Sequence, residues 1–336
     1  MTTFRRREVI ALLASGLVSV AAPAWSQAVG GRRKRVGILM GYTQNDHEAR
    51  VRVDAFLDGM RREGWIDGKT MQNDVRWAGN EPASIREHAA ALVRSEPDVI
   101  LASTTPVVRA LLQETKAIPV VFLSVSDPVG DRFVESLARP GGNATGFTNL
   151  IASLGGKWVE LLKEMNASIV KVAALFNPDV AANKGDYYYR PFQAAAASLG
   201  ITAMSLPVRN DGELDATFAR LAPEAAQTGL VVMPDAFTVG KRAKIIALTA
   251  QHRITAIYPY AYFAVEGGLM AYGVDLVDQY RVAVSYVDRI LDGESVAALP
   301  IQAPTRFELV VNLGTAKALG LSLPASLHLR ADKVIL

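Results

Sequence analysis

The 336-residue chain has no cysteine, and its four histidines, His47, His88, His252 and His328, form no close pair. Without a thiol there is neither a disulfide framework nor a thiolate metal site, and scattered imidazoles leave a histidine metal site poorly supplied. No metal and no cofactor are therefore expected. Charge of one sign is also scarce: 36 Lys and Arg stand against 33 Asp and Glu, and a net +3 is too small to imply nucleic acid. Common fingerprints of nucleotide and acyl chemistry are missing as well. The loop Met40-Gly41-Tyr42-Thr43 lacks a G-x-G-x-x-G pattern, Gly141 to Gly146 carries no Lys-Ser/Thr of a P-loop, and no G-x-S-x-G elbow occurs.

What is present begins with an address. Arg5-Arg6-Arg7 precedes the apolar run Ala11 to Ala22, and Pro23-Ala24-Trp25-Ser26-Gln27-Ala28 supplies small residues for cleavage after Ala28. Residues 1–28 are expected to be a signal peptide, of twin-arginine type from Arg6-Arg7 followed by Val9-Ile10, with an ordinary Sec signal as the alternative. Its removal takes away three Arg and one Glu and leaves a net charge of +1. Beyond it no apolar run is long enough to cross a bilayer, so the mature chain is expected to be soluble outside the cytoplasm.

Half of the residues are hydrophobic and 21% are charged, which argues against global disorder, and the length exceeds what one core usually covers. The apolar run Val36 to Met40 reads as a buried strand, followed by a helix bearing Val53, Phe56, Leu57 and Met60. Strands at Val99 to Ala102 and Val120 to Leu123 follow, separated by helical patterns. A second series has strands at Val172 to Phe176, Leu230 to Met233 and Thr255 to Tyr258, with helices around Phe192 and Phe218. From first to third strand the offset is 63 residues in one half (Val36 to Val99) and 59 in the other (Val172 to Val231). This predicts an α/β protein of two Rossmann-like lobes, each a parallel sheet flanked by helices, with ligand held at the strand C-terminal ends in a shared cleft.

The amphipathic helix Leu276 to Leu291 is expected to return to the first lobe, and Phe307 to Val311 to form a further strand. The lobes are then 29–150 plus about 274–300, and 151–273 plus about 306–336. They would be joined by a hinge of several segments, near Thr148 to Ser153, Tyr262 to Gly273 and Ile301 to Thr305.

Several blocks carry a family likeness: Arg35 to Leu39, Pro97 to Leu101, Thr105-Pro106, Ile118 to Val121, Ser126 to Val129, Lys157 to Glu164 and Lys317 to Leu321. The most distinctive is Leu137-Ala138-Arg139-Pro140-Gly141-Gly142-Asn143. On these the chain resembles the ABC-transporter substrate-binding family that includes tryptophan-binding and other aromatic amino-acid-binding members, of type I periplasmic binding protein fold. The resemblance implies a monomeric, non-catalytic periplasmic receptor that passes a small carboxylate- or amino-acid-like ligand to an ABC importer permease. Tryptophan-binding members tend to carry a Ser/Glu/Asn-Ser type loop after the first strand of the second lobe; here the loop departs from that pattern and reads Asn177 to Asn183, with Asn177 a candidate contact. An extracytoplasmic sensor and a secreted α/β enzyme are the alternatives.

Candidate ligand contacts are residues at strand ends. Ser103, Thr104 and Thr105 open a helix ahead of Pro106 and would suit a carboxylate, or serve only as its cap. Ser126 and Asp127 follow another strand; Asp127 is either a polar contact or the start of a turn at Pro128. Asp235 is the preferred partner for a ligand ammonium. Tyr42, Phe237, Tyr258 and Tyr260 could sandwich an apolar ligand, with Tyr258 the readiest to be core instead. Tyr187 to Arg190 could form a lid or an exposed patch.

Overall fold

The computed structural model describes residues 32–336, and in it the long apolar runs are buried strands of two sheets. The expected signal peptide, 1–28, lies outside the described residues. The first sheet holds β1 (Lys34–Met40), β2 (Met71–Trp77), β3 (Val99–Ser103), β4 (Val120–Val125) and β5 (Ala144–Thr148) in the order β2-β1-β3-β4-β5, all parallel. The second holds β6 (Lys171–Phe176), β7 (Thr202–Pro207), β8 (Thr228–Val232), β9 (Thr255–Tyr258), β10 (Met270–Gly273), β11 (Glu308–Asn312) and β12 (Lys333–Ile335). Its order is β12-β11-β10-β9-β8-β6-β7, parallel except where β10 meets β11.

In the first lobe the helices are α1 (His47–Arg62), α2 (Pro82–Arg94) and α3 (Thr105–Glu114). The second begins with α4 (Leu154–Met165), α5 (Asp186–Ser198), α6 (Asp211–Leu221), α7 (Ala236–Gly240), α8 (Arg242–Gln251) and α9 (Ala261–Val265). Then α10 (Leu276–Leu291) packs back on α1, β3, β4 and β5, and α11 (Leu313–Leu319) and α12 (Ala325–Arg330) flank the last strands of the second sheet. The chain thus passes between the lobes at 149–153, at 274–275 and at 303–307. Asp275 caps α10 as it starts, accepting from the N–H of Val277 at 2.8 Å. A 3.6-residue period puts Tyr280, Ala283, Val284, Val287 and Leu291 on its buried face.

Edge strands escaped the sequence reading because they are not continuous apolar runs. β2, Met71-Gln-Asn-Asp-Val-Arg-Trp, buries only Met71 fully, and β7 buries only Leu206. The blocks that carry the family likeness are largely structural. Asn143, at the pole opposite the strand C-termini, donates from Nδ2 to the Ile118 carbonyl at 2.7 Å, and the indole of fully buried Trp158 donates to the Tyr272 carbonyl at 2.8 Å.

Gly146 in β5 has φ +152°, and a Cβ there would lie 2.1 Å from the Phe122 carbonyl oxygen of β4. Gly146→Ala is expected to destabilise the protein by about 2 kcal/mol or more, through strain and a forced separation of β4 and β5. Urea unfolding of the two proteins checks this, and coincident midpoints would contradict it.

Candidate functional site

The C-terminal ends of β3, β4 and β8 meet between the lobes. Around them Tyr42, Thr104, Thr105, Ser124 and Ser126 from the first lobe face Asp235 and Tyr260 from the second across a cavity of about 20 Å³. That is room for a water molecule and far below the roughly 300–1,000 Å³ of ordinary ligand pockets. Lobe separation or side-chain movement must accompany ligand admission.

The first-lobe wall carries two strained residues. Thr104, the residue before α3, has φ +90° and ψ +147°, and Ser124 near the end of β4 has φ +56°. Left-handed conformations of non-glycine residues cost about 1–3 kcal/mol each and persist where the surroundings impose them. Thr104 does not use its side chain as a helix cap. Its Oγ1 is buried without a hydrogen-bond partner, and so are the Ser103 and Ser124 Oγ atoms, beside the Tyr280 hydroxyl. Gly41 makes room for this turn: a Cβ at 41 would stand 2.3 Å from Thr104 Oγ1. Hydroxyls held in strained geometry beside the N-terminus of the ten-residue α3 are suited to accept or donate to a ligand carboxylate.

On the second-lobe wall Asp235 is 6% exposed and fully engaged with backbone. Its Oδ1 accepts from the N–H groups of Phe237 (2.9 Å) and Thr238 (2.8 Å), its Oδ2 from the N–H of Asn177 (2.9 Å). It therefore caps α7 and ties the loop after β6 to the loop after β8. Burial pushes its carboxyl up to about 7, against the lowering pull of these three N–H groups. Tyr260 is buried, and its hydroxyl accepts from Asn149 Nδ2 of the first crossing at 2.8 Å.

Other candidates fall outside this cavity. The Tyr258 hydroxyl pairs with Thr249 Oγ1 at 2.8 Å and its ring stacks on Phe263 at 5.1 Å, so Tyr258 is core of the second lobe, a correction that follows from its lying within β9 rather than past its end. Asp127 accepts from the Gly130 N–H at 2.8 Å and forms the turn expected at Pro128. Ser103 is buried behind the lining residues, Phe237 packs half-buried at the start of α7, and the Asn177 side chain accepts from the Asp179 N–H at 2.9 Å. In the tyrosine run, Tyr188 is buried against Trp158 at 5.5 Å, and exposed Arg190 pairs with Asp186.

Contacts that the sequence reading missed join the lobes. Arg242 of α8 donates from Nη1 to Asp46 Oδ2 at 2.6 Å and from Nε to Glu266 at 2.9 and 3.0 Å. Both members of the Arg242–Asp46 pair are mostly buried, at 14% and 11% side-chain exposure. Burial raises the Asp46 carboxyl, but the Ala49 N–H and Arg242 outweigh it and hold the group below its ordinary value. Asn80 Nδ2 donates to the Ala236 carbonyl at 3.1 Å nearby. Arg52 of α1 lies against the rings of Tyr42 (5.2 Å) and Tyr262 (5.4 Å), the second ring belonging to the opposite lobe. The visible signal for Arg52 was its place among Ala49, Val53, Phe56 and Met60 on the apolar stripe of α1.

A cleft of strand ends between two α/β lobes can bind a small molecule, and comparison with known proteins says in which family. The sequence profile of the ABC transporter substrate binding protein family matches residues 44–335. The chain belongs to this family. It is 24% identical over 264 residues to the tyrosine-binding protein of Clostridioides difficile, covering 79% of this chain and 75% of that one. Among solved structures, a conserved domain protein from Vibrio cholerae superposes with a TM-score of 0.82 at 24% identity, over 90% of this chain and all of that one. An ABC domain in complex with L-Trp from Streptococcus pneumonia gives 0.82 at 21% identity, again over 90% and 100%. The two-lobed fold expected from the sequence is that of periplasmic binding proteins. Among the described residues, no helix of this substrate-binding protein is long and apolar enough to cross a membrane.

Two outcomes follow for this ABC substrate-binding protein. Because the folded-state value of Asp235 lies near 7 and its ordinary value near 3.8, the native state holds a proton that the unfolded chain releases between about pH 4 and 7. Its contribution to stability is therefore greatest at the acid end and is lost as pH rises through 7, by on the order of 4 kcal/mol. Urea unfolding at several pH values should show the advantage of wild type over Asp235→Asn shrinking across that window; an advantage that grows would contradict the assignment. For the inter-lobe ion pair, spin labels on introduced Glu87→Cys and Gln193→Cys, unique in a chain without native cysteine, report lobe separation. Adding Arg242→Ala is expected to shift the distance distribution to longer values, and an unchanged distribution would show that the pair does not hold the lobes together.

Proposed function

We propose that this substrate-binding protein is the exported, periplasmic receptor of an ABC importer, and that it binds a small aromatic amino acid or a related aromatic carboxylate between its lobes without chemical turnover. The observation that carries the reading is the wall of strained, buried and unpartnered hydroxyls at Thr104 and Ser124, which stands beside Tyr42 and faces Tyr260 across the cleft. Hydroxyls and a helix N-terminus suit the carboxylate, and tyrosine rings suit an apolar body. The tyrosine-binding relative and the L-Trp complex support this ligand class. Ligand that touches both lobes favours the shut form by its differential affinity, and the shut form is what a permease would recognise. Thr104, Thr105, Ser126, Tyr42 and Tyr260 are proposed as contacts, with Asp235 and Asn177 shaping the second wall.

A thermal-shift screen of L-tyrosine, L-tryptophan, L-phenylalanine and small aromatic acids tests the reading. At 100 times its Kd a true ligand adds about 2.7 kcal/mol of stability and raises Tm by several degrees. A flat response to the whole panel, or conversion of a probe to product, would contradict it. Loss of uptake of the identified ligand on gene deletion is expected for an importer component; intact uptake would favour the sensing role.

A further inference from the structure

Arg52 is 1% exposed, yet its Nε and Nη1 have no hydrogen-bond partner. Among the described residues, the faces of the Tyr42 and Tyr262 rings lie against its guanidinium. Ring faces attract a cation but offer no acceptor, and a guanidinium taken out of water calls for oxygens in its own plane. The Tyr262 hydroxyl beside it is likewise buried and unpartnered. Asp46, whose charge acts on Arg52 through space, is engaged by Arg242 and by the Ala49 N–H.

These groups lie next to the strand-end cavity, with Tyr260 between the two spaces. Arg52 and Tyr262 line a pocket of about 200 Å³ that also touches Tyr260, and Tyr260 in turn lines the cavity between the strand ends. Tyr42, whose ring Arg52 covers, lines that cavity as well. Glu48, Asp275 and Glu308 share the Arg52 pocket, so a second full negative charge is disfavoured there and a neutral or weakly acidic oxygen is favoured.

We propose that Arg52, with the Tyr262 hydroxyl, is the specificity determinant for the far end of the ligand, donating to a phenol or carbonyl oxygen on the ligand's ring while the strand-end hydroxyls take its carboxylate. This rests on the reading of the cleft as an aromatic-ligand site. It explains why a cation stands in the apolar stripe of α1, where an aliphatic side chain would pack without any demand for acceptors.

Calorimetry with L-phenylalanine, L-tyrosine and 4-carboxy-L-phenylalanine, which differ only at the para position, tests it on wild type, Arg52→Met and Tyr262→Phe. Wild type is expected to bind L-tyrosine at least about 10-fold more tightly than L-phenylalanine, and more tightly than the carboxylated probe, since a site built for an oxygen rejects the analogue lacking it. In Arg52→Met that preference is expected to collapse to about twofold or less while L-phenylalanine affinity is retained, a split that a merely structural strut would not produce. Tyr262→Phe keeps the ring and should reduce the preference partially; it carries the test if Arg52→Met does not fold. Equal wild-type affinity for L-phenylalanine and L-tyrosine, or a preference that survives the substitutions, overturns the proposal and leaves the aromatic-ligand reading standing. Failure of all three probes and of the wider aromatic panel to bind wild type overturns both.

Discussion

A polar surface that the protein buries but does not satisfy governs the cleft. Parallel strands in both lobes deliver their C-terminal ends to one place, and there β3 and β4 end in left-handed backbone at Thr104 and Ser124. Buried hydroxyls without partners are unfavourable in a finished core, because each forgoes hydrogen bonds that water would have supplied. In a cleft the same groups become favourable whenever a ligand supplies the missing partners. Strain and desolvation at these positions are thus located where binding can offset them.

At the strand ends the second lobe contributes rigidity. Asp235 joins two loops through three backbone N–H groups, and Tyr260 is tied to the first crossing by Asn149. One wall is therefore pre-shaped while the other is chemically demanding. The lobes are linked by three crossings and by a mostly buried ion pair, Asp46–Arg242, at the margin. A three-strand hinge permits opening and closing but resists twisting, which keeps the two walls in register as they approach.

Much of this architecture was legible in the residues. β1, β3, β4, β6, β8 and β9 are short, continuous apolar runs, the pattern of strands buried on both faces of a parallel sheet. β2 and β7 were hidden because edge strands alternate polar and apolar residues. Site residues were legible only as positions near strand ends, and where the strand stops decides the outcome. Tyr258 still lies in β9 and turns into the core toward Thr249, whereas Tyr260, two residues on and past the strand, turns to the cleft. Cross-lobe partners such as Arg242 with Asp46 are 196 residues apart, so no local pattern announces them. Arg52 did leave a trace, a cation inside an apolar helical stripe, and that kind of local inconsistency is where a functional role is worth seeking.

The central claim is that a ligand is clasped between two lobes that part to admit it, the closed cavity of about 20 Å³ being too small to hold one. Small-angle X-ray scattering of the mature protein, alone and with the tightest ligand from the thermal screen at saturation, addresses this most directly. The account requires the radius of gyration to fall on ligand addition, with the distance distribution losing its longest vectors. Superimposable profiles at verified saturation would contradict it.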